Sequence, residues 1–124
     1  MMHRLVVIAR CAEDHFSDII REAPFIYTDK VRLIFIDGSF MDIRYPVESK
    51  YSFHWQLKDE IIRIDTAPHH HKVSTYPRHM HMGTEENVMD DPVTRAGNTI
   101  EENVMSVLEF VRSKIKMWDS RINL

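Results

Sequence analysis

The chain has one cysteine and three glycines in 124 residues, and both scarcities narrow what it can be. A single thiol forms no internal disulfide and cannot build a cysteine-rich zinc site, so Cys11 reads as a small core hydrophobe. With so little glycine there is no phosphate-cradling loop and no Gly/Ser linker. No apolar run approaches the ~20 residues that cross a bilayer. The opening Leu5-Val6-Val7-Ile8-Ala9 is cut by Arg10 before it can act as a secretory core. A membrane is not an expected partner, and the expected location is the cytoplasm. The net charge of −3, from 16 basic and 19 acidic residues, excludes a protein that coats nucleic acid by bulk electrostatics.

What the chain does have is histidine, and it is concentrated. Six of its eight histidines, His54, His69, His70, His71, His79 and His81, fall in one short span. Imidazole exchanges protons near neutrality and, when neutral, binds metals, so this is where chemistry is expected. Local charge agrees. The stretch from Arg63 to Met82 carries Arg63, Lys72, Arg78 and five histidines against Asp65 alone, while Glu85, Glu86, Asp90, Asp91, Glu101 and Glu102 gather further on. A polyanion held at the first stretch would have the second kept clear of it.

Periodicity predicts an α+β fold in one domain over 1–124. Leu5, Ile8, Ala12, Phe16, Ile19, Ile20 and Ala23 recur at three- and four-residue steps and stop at Pro24, which reads as a helix, although Leu5 to Ile8 also suits a short strand. Two hairpins follow. In the first, a turn at Asp37-Gly38-Ser39 sets Phe35 opposite Met41, Leu33 opposite Ile43 and Val31 opposite Tyr45. In the second, Lys58-Asp59 reverses the chain, so Trp55 faces Ile62 and Phe53 faces Ile64, with His54 opposite Arg63 and Ser52 opposite Asp65 on the other side. Tyr51, Phe53 and Trp55 alternate with polar residues and so read as core rather than as a base-stacking platform. Thr99-Ile100-Glu101-Glu102 fits a capping box, and Ile100, Val104, Val107, Leu108, Val111, Ile115 and Trp118 form one apolar stripe behind it. The expectation is an antiparallel β-sheet meander packed against N-terminal and C-terminal helices in two layers. A histidine-rich irregular segment, about 66–98, separates the last strand from the last helix, with Met80 and Met82 anchoring its first half.

Three runs resemble one family. Tyr51-Ser52-Phe53-His54-Trp55-Gln56, then Arg63-Ile64-Asp65-Thr66-Ala67-Pro68-His69-His70, then Tyr76-Pro77-Arg78-His79-Met80-His81 match, in order and spacing, the TumE-type toxins of prokaryotic toxin–antitoxin pairs. The likeness runs from about Phe16 to Gly83 and fades in the acidic stretch and the last helix. Where the family has histidine and lysine in the third run, this chain has Arg78 and Met80, so phosphate contact stays expected at position 78 and not at position 80. The resemblance implies a toxin with a cognate helix-turn-helix antitoxin and RNA as its target, an endoribonuclease.

RNA cleavage needs a base for the 2′-hydroxyl proton, an acid for the leaving 5′-oxygen and cations at the phosphorus centre. His70 and His79 are the expected proton-transfer pair, with His81 orienting or substituting for one of them and Asp65 or Ser52 fixing a tautomer. Arg63, Arg78 and His54 are the expected phosphate contacts. No cofactor is required in this reading. The alternative is a divalent metal such as zinc: His79-X-His81 on a strand projects both rings to one side, and His69 (or His70 or Asp65) would complete a three-ligand site with an open water position. Adjacent His69, His70 and His71 cannot all point one way. A third reading is a non-enzymatic or metal-binding partner-recognition module, with the histidine segment as a pH-sensitive or metal-linked recognition surface and Met117 and Trp118 adding a homodimer face if they lie outside the core.

Overall fold

The computed structural model describes residues 2–122, with side chains through Trp118. Its elements are α1 (Met2–His15), β1 (Phe25–Ile26), β2 (Val31–Ile34), β3 (Phe40–Val47), β4 (Lys50–Gln56), β5 (Ile61–Asp65), β6 (His79–Gly83), β7 (Val88–Asp90) and α2 (Ile100–Ile122). The seven strands form one antiparallel sheet in sequence order, a meander as the alternating pattern predicts. Both helices lie on one face of it. Leu5 and Ile8 of α1, Val104, Val107, Leu108, Val111 and Ile115 of α2, and Val31, Leu33, Ile43, Phe53, Trp55, Ile62 and Ile64 of the sheet make one buried core. Trp55 is fully buried under α2, with its ring 6.4 Å from Phe110 and 5.7 Å from Trp118.

The β4–β5 register is the one the sequence dictates, with Trp55 opposite Ile62, Phe53 opposite Ile64, His54 opposite Arg63 and Ser52 opposite Asp65. The capping box forms as well: Thr99 N donates to Glu102 Oε1 at 2.8 Å, and Glu102 N donates to Thr99 Oγ1 at 3.1 Å.

Three local expectations are corrected. The first helix is helical from Met2, which removes the strand option, but it stops at His15. Ile19 and Ile20 leave the helix because the sheet takes them: Ile36 N donates to Ile19 O, Arg21 N donates to Ile34 O, and Ile20 bridges Phe35. Phe16 and Ile19 are still buried, whereas Ala23 is exposed.

The β2–β3 pairing is shifted by two residues. Leu33 faces Met41 and Val31 faces Ile43. Ser39 joins the ladder, with Phe35 N donating to its carbonyl at 2.9 Å and Trp55 Nε1 donating to its hydroxyl at 2.9 Å, so the three-residue turn moves back by one position to Ile36-Asp37-Gly38. Gly38 takes φ +90 there, a conformation that only glycine adopts freely. Because the shift is even, each side chain keeps its face.

The third correction is in the segment about 66–98. It contains β6 and β7, which extend the sheet beyond β5 by pairing Ile64 with Met80 and Met80 with Met89. Met80 is fully buried and Met82 packs against the core.

Candidate active site: a histidine centre on the face away from the helices

A strand sends alternate residues to opposite faces. The register therefore lays two rows of cross-strand neighbours on the face that the helices leave uncovered. One runs Arg32, Asp42, His54, Arg63, His81, and the next runs Arg44, Ser52, Asp65, His79, Asp90. A cleft of about 300 Å³ is lined by the β3, β4 and β5 members of these rows together with Arg32 and Phe40.

At the β6 end, the chain between β5 and β6 folds back and covers the two strand histidines. His79 is 1% exposed and His81 3%, whereas Ser52, His54, Arg63 and Asp65 on the same face are only half-buried. His70 comes down onto them from that loop. Its ring lies 4.6 Å from His79 and 5.4 Å from His81, and the two strand rings are 4.9 Å apart. One nitrogen from each of the three rings lies within 4.8 Å of the others. Of the three consecutive histidines, the loop turns one inward: His69 is exposed, and His71 stacks on Tyr76 at 4.7 Å. His70, rather than His69, is thus the third ring beside His79 and His81. A cavity of about 710 Å³ lined by His69, His70, His71, Lys72, Val73, Glu85, Glu86 and Val88 adjoins the group.

Backbone carbonyls set the tautomers. His79 Nδ1 lies 3.0 Å from Pro77 O, and His81 Nδ1 lies 2.7 Å from Glu85 O. A carbonyl oxygen only accepts, so each Nδ1 carries a proton, and in the neutral ring Nε2 is left with the lone pair; the Glu85 carboxylate also lies 3.5 Å from His81 Nδ1. Asp65 and Ser52 are not the groups that fix these rings. Asp65 instead accepts Ala67 N at 2.7 Å, turning the chain into the loop that bears His70, and pairs with Arg63 at 3.3 Å. His81 Nε2 is buried with no hydrogen-bond partner. Leaving such a group unsatisfied costs about 1–3 kcal/mol.

Arg63 lies beside His81 across the strand pair, and its Nε is also buried and unpartnered. Its terminal nitrogens reach Asp65 and, at 3.1 Å, Glu85. The acidic stretch therefore does not stay clear of the histidines: Gly83, with φ +89, turns β6 into β7 and brings Glu85 back to the rim. Sequence reasoning missed Glu85, although a lone glycine between a paired strand and an acidic run was a signal for that turn.

His54 sits in the cleft, 3.1 Å from Gln56 Oε1. Arg78 is engaged elsewhere. Its guanidinium donates to Thr94 O and lies 3.5 Å from Asp91, whose side chain is fully buried and also accepts from the amides of Val93 and Thr94 and from the Thr94 hydroxyl. The Thr94 hydroxyl continues to the Tyr51 phenol at 2.7 Å. This network ties the loop before β6 to the turn before α2. Cys11 is buried and its thiol is pushed up to about 11, first by burial and then by Glu101 and Asp14, which leaves it unreactive near neutrality.

The molecule is thus an α+β protein carrying three converging histidines on the uncovered face of a meander. The chain belongs to the TumE toxin family, whose model (Toxin TumE) matches residues 8–115. Membership makes it a toxin of the toxin–antitoxin class, with an antitoxin as partner. No curated protein and no solved structure matches the chain. No helix among the described residues is long and apolar enough to cross a membrane.

Proposed function

We propose that this toxin cleaves phosphodiester bonds in RNA at the centre formed by His70, His79 and His81, with Arg63 at its edge, and that its antitoxin is a helix-turn-helix protein. The observation that carries the reading is the convergence of three imidazoles from a loop and a strand onto one point, with the Nε2 of His81 buried and unpaired. Structural histidines have no reason to leave such an atom unsatisfied. The adjoining cavities give a flexible strand room to approach.

The reaction class is transfer of the 2′-oxygen onto phosphorus. The 2′-hydroxyl loses its proton as its oxygen attacks, the bond to the 5′-oxygen breaks, and that oxygen leaves with a proton, giving a cyclic phosphate and a 5′-hydroxyl. Arg63 is the cation beside these rings, and its terminal nitrogens, paired with Asp65 and with the exposed Glu85, are the groups a phosphoryl oxygen would compete for as its charge develops. Arg78, held by Asp91 and Thr94, serves the fold instead. The three rings can run this reaction as bare imidazoles, His70 and His79 exchanging protons, or around a cation. The anchoring of both Nδ1 atoms favours the second.

Inducing the chain in cells with and without the neighbouring antitoxin, while following growth and RNA integrity, tests the reading. Arrested growth with cut RNA, relieved by the antitoxin and by His70→Ala, is expected. Arrest with intact RNA would overturn the RNA target, and absence of arrest would leave a partner-binding module.

A further inference from the structure

We propose that His70, His79 and His81 bind one divalent transition-metal ion of the zinc class, through Nε2 of the two strand histidines and one ring nitrogen of His70. The inference concerns the same three rings as the RNA reading but stands on their geometry rather than on the substrate.

Four observations carry it. Each ring offers a nitrogen, and the three lie within 4.8 Å of one another. Tetrahedral zinc with bonds of about 2.0–2.1 Å brings ligand nitrogens to about 3.3 Å apart. Closing that gap takes a small swing of the rings, and His70, half-buried on a loop, is the least confined of the three. Next, the Nδ1 protons of His79 and His81 are both held by main-chain carbonyls, the outer bonds that orient a metal-ligating imidazole and raise the basicity of its other nitrogen. Third, Nε2 of His81 is buried with no hydrogen-bond partner, and a cation would satisfy the lone pair it has in the neutral ring. Finally, β-strand geometry supplies the pair: residues 79 and 81 project to the same face.

Donor type selects the ion. Three imidazoles with no carboxylate among them suit zinc, copper, nickel or ferrous iron and disfavour magnesium and calcium, which take oxygen ligands. Three protein ligands leave a fourth position open, and at such a position the ion polarises a phosphoryl oxygen or lowers the pKa of bound water. His69 and His71 stay outside the set, one exposed and the other stacked on Tyr76.

The test is calorimetric titration of the chelator-stripped, full-length chain with Zn²⁺, and of the same protein with Co²⁺ followed by visible absorption. One ion per chain and the bands of tetrahedral Co²⁺ are expected. His70→Ala, a loop change that leaves the buried strand rings alone, should weaken binding at least ~100-fold, since losing even an outer partner costs ~10–100-fold. His69→Ala should leave affinity unchanged. No stoichiometric binding, or equal losses in His69→Ala and His70→Ala, would overturn the site. The two readings fail separately: RNA cleavage undiminished in excess chelator removes the metal and leaves the ribonuclease, whereas tight zinc binding with intact RNA does the reverse.

Discussion

Arg78 and Asp91 show how much a single side chain's surroundings matter. The Asp91 carboxylate is fully buried, and Arg78 is its counter-charge. Breaking a buried pair from one side typically costs ~3–5 kcal/mol, but Asp91 keeps three other donors, so Arg78→Ala should cost about 2–3 kcal/mol. Urea unfolding measures this, and a loss below about 0.5 kcal/mol would show that the network is not structural. Asp42 gives a pH-linked counterpart. Burial opposes its charge, but hydrogen bonds from Arg32 at 2.7 and 2.9 Å and from Lys30 at 3.2 Å outweigh that and hold the carboxyl below its ordinary 3.8. A carboxyl depressed by folding contributes stability that is complete above its unfolded pKa and is lost as pH falls through the folded one. The stability gap between wild type and Asp42→Asn should therefore be constant above about pH 5 and shrink below about pH 4. A gap that is unchanged down to pH 2.5 would contradict the assignment.

At the scale of elements, local signals held where the partner was local. Lys58-Asp59 reverses the chain in two residues and fixed the β4–β5 register, and with it the row that sets Arg63 beside His54. The capping box acts within four residues, and Thr99→Ala should lower stability by about 1 kcal/mol, read as a fall in midpoint on thermal unfolding. An unchanged midpoint would mean that packing alone starts α2. Signals failed where a distant segment competed. Phe16 to Ile20 keep helical spacing, yet the end of β2 offers Ile19 and Arg21 backbone partners, and Ser39 is drawn into the ladder by Phe35 and into a hydrogen bond by Trp55. Residues 79–82 alternate histidine with methionine over only four positions, and 88–90 are three residues long, so both are too short for the pattern alone to set them apart from the irregular segment around them.

For the whole molecule, the sheet contributes only half of the core. Tyr45, Phe53 and Trp55 are buried because helices lie over them, and Tyr45 also accepts a hydrogen bond from buried Asn103 of α2 at 3.1 Å. A chain ended at Thr99 should lose cooperative thermal unfolding and bind a hydrophobic dye, since the apolar stripe of Val104, Val107, Leu108, Val111 and Ile115 has no substitute. A sharp, dye-free transition in that truncation would show the sheet to be self-sufficient. Periodicity, turn residues and capping fixed the fold class, the meander and the burial of Phe53, Trp55, Ile62 and Ile64, because such patterns act between residues a few positions apart. The spacing of His79 and His81 placed two rings on one side for the same reason. Which of three consecutive histidines turns inward, which carbonyls hold the ring protons, and that Arg78 is bound to Asp91 while Glu85 returns to the rim depend on segments far apart in the chain. Loop residues have no period, so their direction follows from the surface they close upon, and that surface exists only once the strands have paired.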